Sequence, residues 1–532
     1  MTGPNYTPLT PLAFLERAAT VFSDKEAVVY RETRMTYAEL GVEATRTAHA
    51  LRRAGIEPGD RVAYLLPNLP EMLVAHFAVP LAGAVLVAIN TRLSGAEVEY
   101  IVNHSGARVL VVDTELYPAV APHLGDAAGL ERIVSLDDAG TGTPEGTMPL
   151  TEFLEGAEGD PLPWTVEDET AAISINYTSG TTGRPKGVQY THRGAYLNAL
   201  GELIHSRHSP ASVYLWTLPM FHCNGWCTTW ALTGIGGRHV CLRAAEPTEI
   251  WRLIREEGVT HLNAAPTVLI SMVNAPEAGP FPQKLTATTA GAPPSPTIIG
   301  QMEELGADIV HVYGLTETYG PHTVCEIQEG WAPMSGADRA RLMSRQGVSY
   351  IIADPIRVVD ETMTDVSRDG ATMGEVVMQG NNVMAGYFAD PEATAAAFRG
   401  GFFHSGDLGV HHPDNYIQLR DRAKDIIISG GENISTIEVE QAVMSHPSVL
   451  EAAVVAVPHE TWGERPKAFV VLKDDATASG DELIEHVKGS IARFKAPDVV
   501  EIVDALPKTS TGKIQKYVLR EQEWAGRDSR IN

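Results

Sequence analysis

The chain has 532 residues, more than one ordinary hydrophobic core accommodates, so two or more domains are expected. Hydrophobic residues make up 44% and charged residues 20%, the composition of a globular protein. There are 41 lysines and arginines against 67 aspartates and glutamates, and the resulting net charge of −26 excludes a general attraction to nucleic acid or to an anionic membrane.

The N-terminal residues 1–12 are polar and proline-rich, with neither the basic nor the apolar segment of a signal peptide, so none is expected. The most apolar stretch, residues 72–89, approaches the length of a membrane span but contains His76, Pro80 and Gly83. A core helix, a turn and a strand explain it better, and no membrane span is predicted. Four cysteines in the chain argue against a disulfide framework and favour a reducing, cytoplasmic location.

The first half of the chain alternates helices and strands. Thr36 and Glu39 have the spacing of a capping box, and the apolar residues after them fall on one helical face as far as Gly55. Continuous apolar runs predict strands buried on both faces, at residues 61–66, 84–89 and 108–113. This alternation predicts an α/β fold with parallel sheets.

Residues 177–188, Tyr-Thr-Ser-Gly-Thr-Thr-Gly-Arg-Pro-Lys-Gly-Val, are the most informative segment of the chain. Glycines let the backbone bend close to a ligand, while hydroxyls and a cation can surround a polyphosphate. The candidate ligand-binding residues are Thr178, Ser179, Gly180, Thr181, Thr182, Gly183 and Lys186. The lysine lacks the following Ser or Thr of a Walker A loop. An apolar run leads into the loop as a strand would, which disfavours a merely flexible surface loop.

Further motifs follow the loop in chain order. They are Pro219 to Trp226, Gly291 to Pro294, Tyr313 to Thr318, His404 to Asp407, Asp421 to Asp425, Ser429 to Ile434 and Pro507 to Lys513. Together with the loop they resemble, in order and over nearly the whole chain, the motifs of the adenylate-forming superfamily. That superfamily comprises acyl-CoA synthetases, peptide-synthetase adenylation domains and beetle luciferases.

A domain boundary is predicted near residues 420–425. Beyond it, Ser435 and Glu438 again have capping-box spacing, and the strands and helix that follow form a compact α+β unit of ordinary domain size. The resemblance implies an N-terminal body of residues 1–421, a hinge at residues 422–425 and a small mobile lid of residues 426–532.

The resemblance also implies a reaction, in which a carboxylate attacks the α-phosphate of ATP to give an acyl-adenylate and pyrophosphate. Because one anion approaches another, catalysis needs cations, a metal and oriented donors more than an acid–base pair. The implied metal is Mg²⁺, held by Thr178 and Glu317, since a carboxylate suits this hard cation. Lys513 is the implied catalytic cation and reaches the α-phosphate from the lid.

The implied nucleotide contacts come from several motifs. Tyr313 stacks on adenine, Thr318 lies near the α-phosphate, and Gly314 and Thr316 belong to the same motif. Asp407 holds the two ribose hydroxyls, a bidentate role suited to a carboxylate, and Arg422 adds a second ribose contact. The turn formed by Gly291, Ala292 and Pro293 lies along adenine and lines the acyl pocket.

The lid is implied to turn about Lys424, a hinge residue that stays solvated in either orientation. Gly430, Gly431 and Glu432 then face the adenylate and leave room for pantetheine. His222 orients the carboxylate or gates thiol entry, the alternative being a satisfied core histidine, and Trp226 gates the pocket or merely packs. A zinc site at His222, Cys223 and Cys227 is disfavoured because no second ligand pair has suitable spacing.

Residues 219–230 and 319–350 resemble the branch that contains medium-chain fatty acyl-CoA synthetases, methylmercaptopropionate-CoA ligases and plant acyl-activating enzymes. A small to medium apolar carboxylic acid as substrate, with CoA as acceptor, is therefore expected. The alternatives are an adenylating enzyme that loads a carrier protein, an oxidative light-emitting enzyme, and a nucleotide-binding regulator without turnover. A serine hydrolase is disfavoured because no G-x-S-x-G occurs. The oligomeric state stays open, with a homodimer as one candidate.

Overall fold

The computed structural model describes residues 4–125, 127–178, 185–430, 432–474, 476–509 and 513–525. The strands are β1 (Glu26–Tyr30), β2 (Thr33–Thr36), β3 (Arg61–Leu65), β4 (Val85–Ala88), β5 (Ala107–Asp113), β6 (Arg132–Leu136), β7 (Met148–Pro149), β8 (Ala172–Tyr177), β9 (Gly187–Thr191), β10 (Val213–Leu215), β11 (Arg238–Val240), β12 (His261–Ala264), β13 (Leu285–Thr289), β14 (Ala307–Leu315), β15 (Gly320–Val324), β16 (Val348–Ser349), β17 (Arg357–Val359), β18 (Met373–Met378), β19 (Gly386–Tyr387), β20 (Phe403–His411), β21 (Ile417–Arg422), β22 (Ile427–Ser429), β23 (Glu432–Ile434), β24 (Val449–His459), β25 (Gly463–Leu472) and β26 (Val499–Ile502).

The helices are α1 (Leu12–Val21), α2 (Tyr37–Arg53), α3 (Pro70–Leu81), α4 (Gly95–Ser105), α5 (Tyr117–Leu124), α6 (Leu150–Leu154), α7 (His192–His205), α8 (Cys223–Trp226), α9 (Thr228–Ile235), α10 (Pro247–Glu256), α11 (Pro266–Val273), α12 (Pro296–Glu304), α13 (Gly336–Met343), α14 (Pro391–Ala397), α15 (Thr436–Met444), α16 (Gly480–Ser490) and α17 (Lys516–Trp524).

Two large sheets form the centre of the body. The first has the strand order β16-β15-β14-β13-β12-β10-β11-β1-β2 and is parallel from β14 to β1. The second has the order β19-β9-β8-β4-β3-β5-β6-β7 and is parallel from β8 to β7. Inner strands such as β4 are buried at every position, as strands covered by helices on both faces must be. The α/β class predicted from the sequence is confirmed.

Local signals in the first half behave as predicted. Thr36 and Glu39 form a reciprocal capping box at the start of α2, and Gly55 adopts φ +88° just after its end. Helix α3 passes through Pro80, where a turn was predicted, and ends at Leu81. Pro80 cannot donate to the carbonyl oxygen of His76, and Trp230 Nε1 donates to that oxygen instead, at 3.1 Å.

The C-terminal part of the chain completes the architecture with two smaller sheets. Strands β17, β18, β20 and β21 form an antiparallel sheet in the order β17-β18-β20-β21. The order β23-β22-β25-β24, with β26 on β25, gives the last sheet, which packs with α15 and α16 around its own apolar core. This last unit is the small α+β domain predicted to be the lid, and the predicted hinge at residues 422–425 begins at the last residue of β21 and ends two residues before β22. The exact domain limits stay a prediction.

None of the helices in the described ranges combines the length and apolar character that a membrane crossing requires.

Candidate active site

The phosphate loop is the turn of a hairpin between β8 and β9, which pair antiparallel. At its base the Thr178 backbone N–H donates to the Lys186 carbonyl oxygen at 3.0 Å. Gly187 begins β9 where a Cβ would come within 2.9 Å of the Ile175 side chain, so a glycine is required there. Ser179, Gly180, Thr181, Thr182 and Gly183 lie outside the described residues, and their predicted contacts stay predictions.

The second element of the site is the sharp turn at the end of β14. A Cβ on Gly314 would overlap the carbonyl oxygen of Gly320, so only glycine lets the chain double back into β15. The buried Thr318 hydroxyl accepts from the Leu315 N–H and donates to the Gly320 carbonyl, each at 2.8 Å. The Thr318 hydroxyl is therefore used in hydrogen bonds that stabilise the turn. Thr316 is the threonine of this motif that lines the cavity.

Tyr313, Asp407 and Arg422 meet at one point in the body. Strands β20 and β21 pair Asp407 with Arg422, and Arg422 Nε lies 3.2 Å from Asp407 Oδ1. The Tyr313 hydroxyl donates to Asp407 Oδ2 at 2.7 Å. Burial, and then the Asp407 charge, raise the pKa of Tyr313 well above its ordinary value, so it stays a donor. The buried Asp407 carboxylate is thus fixed from both sides, as a residue that binds a diol must be.

Lys513 extends from the lid toward this cluster. Its backbone N–H donates to Thr509 Oγ1 at 3.0 Å, and the Thr509 N–H donates to the Lys513 carbonyl at 2.7 Å, so the backbones of these two residues are hydrogen-bonded to each other within the lid. Burial and then the Arg422 charge lower the pKa of Lys513 to about 7, against the opposing effect of Asp407. Lys513 also lowers the pKa of His222, after burial, to about 4. The Lys513 ammonium is therefore close enough to Asp407, Arg422 and His222 for their charges to act on one another.

A cavity of about 80 Å³ lies between the end of β8, the segment that contains His222, the turn after β14 and the lid loop at Thr509. The second large sheet contributes Asn176 and Thr178, the turn after β14 contributes Thr316, and the lid contributes Thr509. Ligands of open α/β sheets bind at the carboxyl ends of parallel strands, and β8 and β14 both end here. The lining thus brings residues of the body, among them Thr178, His222 and Thr316, together with Thr509 of the lid around one space.

Comparison with known proteins identifies the family. Residues 15–388 match the model of the AMP-binding enzyme family, and residues 438–513 match the model of the AMP-binding enzyme C-terminal domain. The chain belongs to the AMP-binding enzyme family. The resemblance to the adenylate-forming superfamily drawn from the motifs is thereby confirmed.

Relatives that align over nearly their whole length indicate which activity this AMP-binding enzyme has. An acetate–CoA ligase of Humulus lupulus is 44% identical over 541 residues, which cover 97% of this chain and 95% of the relative. A 4-hydroxybutyrate–CoA ligase of Metallosphaera sedula is 43% identical over 529 residues, covering 98% and 96%. Among solved structures, ATP-bound MatB from Rhodopseudomonas palustris has a TM-score of 0.83 and 28% identity, covering 96% and 98%.

The chain is an AMP-forming acyl-CoA synthetase, which joins a carboxylic acid to CoA at the expense of ATP through an acyl-adenylate. Neither loading of a carrier protein nor silent nucleotide binding is favoured.

The segment after His222 is a left-handed turn of this AMP-binding enzyme that the sequence did not reveal. Residues 223–227 all have positive φ, from 51° at Cys223 to 65° at Cys227, although among them only Gly225 and, to a lesser degree, Asn224 favour such angles. Such backbone persists only when its surroundings enforce it. His222 lines the cavity just before the turn, whereas Trp226 is buried against Gly320, where a Cβ would lie 2.7 Å from the Trp226 ring. Trp226 thus packs in this structure, the second of its two predicted roles.

The same segment carries the cysteines considered for zinc. Cys223 Sγ is 3.9 Å from the His222 ring nitrogens, and Cys227 Sγ donates to the Tyr319 carbonyl oxygen. Within the described ranges no group of three or more His, Cys, Asp or Glu side chains could hold a metal ion. His222 and Cys223 line the cavity, and Cys227 is buried.

Gly430 and Glu432, in the lid loop that precedes α15, are not among the described residues that line the cavity. Gly430 has φ +60°, and its N–H donates to the Trp462 carbonyl oxygen at 2.8 Å. Glu432 is exposed, and Gly431 lies outside the described residues. Lys424, expected to be solvated, is half-buried, and burial lowers its pKa to about 8. The hinge lysine packs because Asp425, which pairs with Arg520, draws this segment against α17.

The adenine-side turn follows β13. Gly291 has φ +90° and directs the chain out of the sheet, so Gly291 and Ala292 are exposed and Pro293 is partly buried beside the end of β14. Ser295 then caps α12 by accepting from the Ile298 N–H at 3.3 Å. The turn therefore lies at the carboxyl edge of the same sheet that carries Tyr313.

Sequence reasoning missed Tyr387, whose hydroxyl donates to Glu317 Oε1 at 2.8 Å. The Lys186 ammonium lies 4.7 Å from the centre of the same ring. Burial raises the pKa of Glu317, while this hydroxyl and then the Arg422 charge oppose the shift. The sequence near Tyr387 offers only a tyrosine after a glycine as a signal. This pair is common in turns and in strands, so it does not identify a site residue.

The lowered pKa of Lys513 predicts a proton-linked nucleotide affinity. Near pH 8 the lysine of the free enzyme is about nine-tenths neutral, given a pKa of about 7. The phosphates of ATP favour the ammonium, so binding takes up nearly one proton at pH 8 and almost none at pH 6. Affinity consequently falls as pH rises above about 7. Calorimetry in buffers of different ionisation enthalpy measures the uptake, which should vanish in Lys513→Ala; uptake unchanged in that variant would contradict the assignment.

Proposed function

We propose that the enzyme activates a small to medium apolar carboxylic acid at this cavity, with the adenosine held by Tyr313, Asp407 and Arg422. The observation that carries the proposal is that the lid loop reaches the cavity at Thr509, to which Lys513 is hydrogen-bonded, and that the charges of Asp407 and Arg422 act on the pKa of Lys513. An ammonium in that position meets the α-phosphate of a nucleotide whose ribose binds Asp407. The acid itself is inferred from relatives named for acetate and 4-hydroxybutyrate.

The residues divide the work of the first half-reaction. The loop of Thr178 to Lys186 surrounds the β- and γ-phosphates, and Lys513 stabilises the negative charge that develops as the carboxylate attacks the α-phosphate. Pyrophosphate leaves and the acyl-adenylate remains. His222, neutral because its pKa is about 4, can orient the acid carboxylate without adding charge. Thr318 is left out of the proposed phosphate contacts because its hydroxyl is committed to the turn.

Mg²⁺ is the proposed metal, and the side chains present fit it. Glu317 offers a carboxylate with one hydrogen bond from Tyr387, and Thr178 offers a hydroxyl at the base of the loop. Mg²⁺ takes one or two protein oxygens beside phosphate oxygens, so this sparse set is sufficient. When bound, the cation neutralises phosphate charge and polarises the α-phosphate toward attack.

The acid specificity is tested by pyrophosphate exchange over acids graded in length, branching and aromaticity. Exchange that is strongest with short or medium apolar acids supports the proposed substrate class. Exchange strongest with dicarboxylic or long-chain acids would contradict it, and no exchange with any acid would contradict the activity itself.

The second half-reaction requires the lid to turn, and Lys424→Pro tests this. Proline fixes φ and removes the N–H at the hinge, so the lid is expected to stay in the orientation seen here. The rate of adenylation, measured by pyrophosphate exchange, should fall less than threefold. The rate of thioester formation from supplied acyl-adenylate and CoA should fall about a hundredfold, the loss that a displacement of reacting groups by about 1 Å can cause.

Lys424→Ala is the matched control, because it removes the charge while leaving the backbone free. It should retain both half-reactions. Equal loss of the two half-reactions in Lys424→Pro would count against an alternating lid.

A further inference from the structure

Tyr387 lies between two charged groups that face the triphosphate in the proposed function. Its hydroxyl donates to Glu317 Oε1 at 2.8 Å, and the face of its ring lies 4.7 Å from Lys186 Nζ. No ion pair within 4.0 Å among the described residues includes Lys186, although its charge opposes the raised pKa of Glu317. An ammonium and a carboxylate thus share one aromatic side chain without pairing with each other.

The backbone fixes Tyr387 in this place. Strand β19 pairs antiparallel with β9, and Tyr387 is the register partner of Val188, two residues after Lys186. Its own N–H donates to Thr394 Oγ1 at 2.9 Å. The neighbouring Met384 N–H donates to the Glu317 carbonyl oxygen at 2.8 Å. The β19 segment is therefore hydrogen-bonded to both the phosphate-loop strand and the turn that carries Glu317.

The arrangement has a clear electrostatic consequence. A lysine ammonium and a glutamate carboxylate this close to a common partner would otherwise form a salt bridge, which an incoming nucleotide and cation would have to break. A tyrosine satisfies both, because its hydroxyl donates to the carboxylate and the negative face of its ring attracts the ammonium. Each charge is held in place and left open toward the ligand.

We propose that Tyr387 is a positioning residue that keeps the Glu317 carboxylate and the Lys186 ammonium apart and aimed at the metal–triphosphate complex. The inference rests on the proposed function, since it assigns Glu317 to the cation and Lys186 to the phosphates. Tyr387 is proposed to contact neither the metal ion nor the phosphates. It acts only through the Glu317 and Lys186 side chains.

Two variants separate the two contacts. Tyr387→Phe removes the hydrogen bond to Glu317 and keeps the ring over Lys186, whereas Tyr387→Leu removes both. The matched control is Tyr30→Phe, because the Tyr30 hydroxyl also donates to a carboxylate, Asp138, at 2.8 Å, and Arg31 lies 4.9 Å from its ring. Tyr30 ends β1 and contacts Asp138 and Arg31 rather than Glu317 and Lys186, so its substitution should leave nucleotide binding unchanged.

The experiment is calorimetric binding of the non-hydrolysable nucleotide α,β-methylene-ATP, with Mg²⁺ and again with excess EDTA. Tyr387→Phe should weaken binding about ten- to a hundredfold with Mg²⁺, the loss expected for one hydrogen bond to a charged group, and less than twofold with EDTA. Tyr387→Leu should weaken binding under both conditions. Thioester formation from supplied acyl-adenylate and CoA should be unaffected in Tyr387→Phe.

Several results would overturn the inference. Wild-type affinity of Tyr387→Phe with Mg²⁺, equal losses with Mg²⁺ and EDTA, or failure of Tyr387→Phe to fold would each assign Tyr387 a merely structural role. An equal effect in Tyr30→Phe would point to a general loss of stability. Failure of the proposed function looks different, because the wild-type protein would then show no acid-dependent pyrophosphate exchange.

Discussion

Lys513→Ala should abolish acid-dependent pyrophosphate exchange while the protein still converts supplied acyl-adenylate and CoA to thioester. The lysine is the lid residue beside the Asp407–Arg422 pair, and removing one such charge contact at a transition state commonly costs ~2.7–4 kcal/mol, about two to three decades in rate. Thioester formation has no triphosphate to stabilise, so it should retain more than a third of its rate. Rapid-quench measurement of the two half-reactions separates them.

Lys508→Ala is the matched control for this variant, because Lys508 belongs to the same lid loop but bonds to Glu451 at 2.7 Å, away from the cavity. It should leave both half-reactions within about twofold of wild type, because the pair does not reach the cavity, although the buried Glu451 carboxylate loses its partner and the stability of the lid should fall. Pyrophosphate exchange retained in Lys513→Ala would show that another residue is the catalytic cation. An equal loss of exchange in Lys508→Ala would show that either substitution disrupts the structure of the lid loop.

Gly314→Ala is expected to have the second largest effect, through the backbone. The new Cβ would overlap the Gly320 carbonyl oxygen, so β14 and β15 must separate. Overpacking of this kind costs about 1–3 kcal/mol or more in stability. The shift also displaces Thr316 and Glu317, and a misplacement of about 1 Å at a reacting site can cost about a hundredfold in rate. Pyrophosphate exchange should fall by that factor and the thermal unfolding midpoint should drop.

Gly300→Ala serves as the control for the glycine change. Gly300 lies on α12, where an added methyl group would have no other atom within 4 Å, so alanine should be neutral or slightly stabilising. A Gly314→Ala protein with normal exchange and an unchanged midpoint would show that the turn tolerates a side chain and that the close approach of β14 and β15 is not needed.

The features of the fold and of the site that could be predicted are those determined by residues close together in the sequence. Capping residues, buried apolar runs and the glycine–hydroxyl loop each act within a few positions, so the strands, α2 and the site motifs could be placed in advance. Asp407, Arg422 and Lys513 were assigned by resemblance to known motifs, and the structure brings these three together.

The parts that were not predictable depend on distant pairing. Tyr387 matters because β19 lies on β9, a contact between segments far apart in the chain. The left-handed turn at residues 223–227 is enforced by packing, with Trp226 wedged against Gly320. Lys424 is half-buried because Asp425 pairs with Arg520 of α17. In each case the residues near in sequence do not reveal the environment of the side chain, because contacts with distant segments determine it.

The central claim is that one nucleotide occupies the space between the phosphate loop, the Asp407–Arg422 pair and the lid lysine. A crystal structure with bound ATP tests it most directly. The ribose hydroxyls should lie within hydrogen-bond distance of the Asp407 carboxylate, with the α-phosphate beside Lys513 and the terminal phosphates beside Lys186. Adenosine bound elsewhere, with Asp407 still held only by Tyr313 and Arg422, would contradict the account.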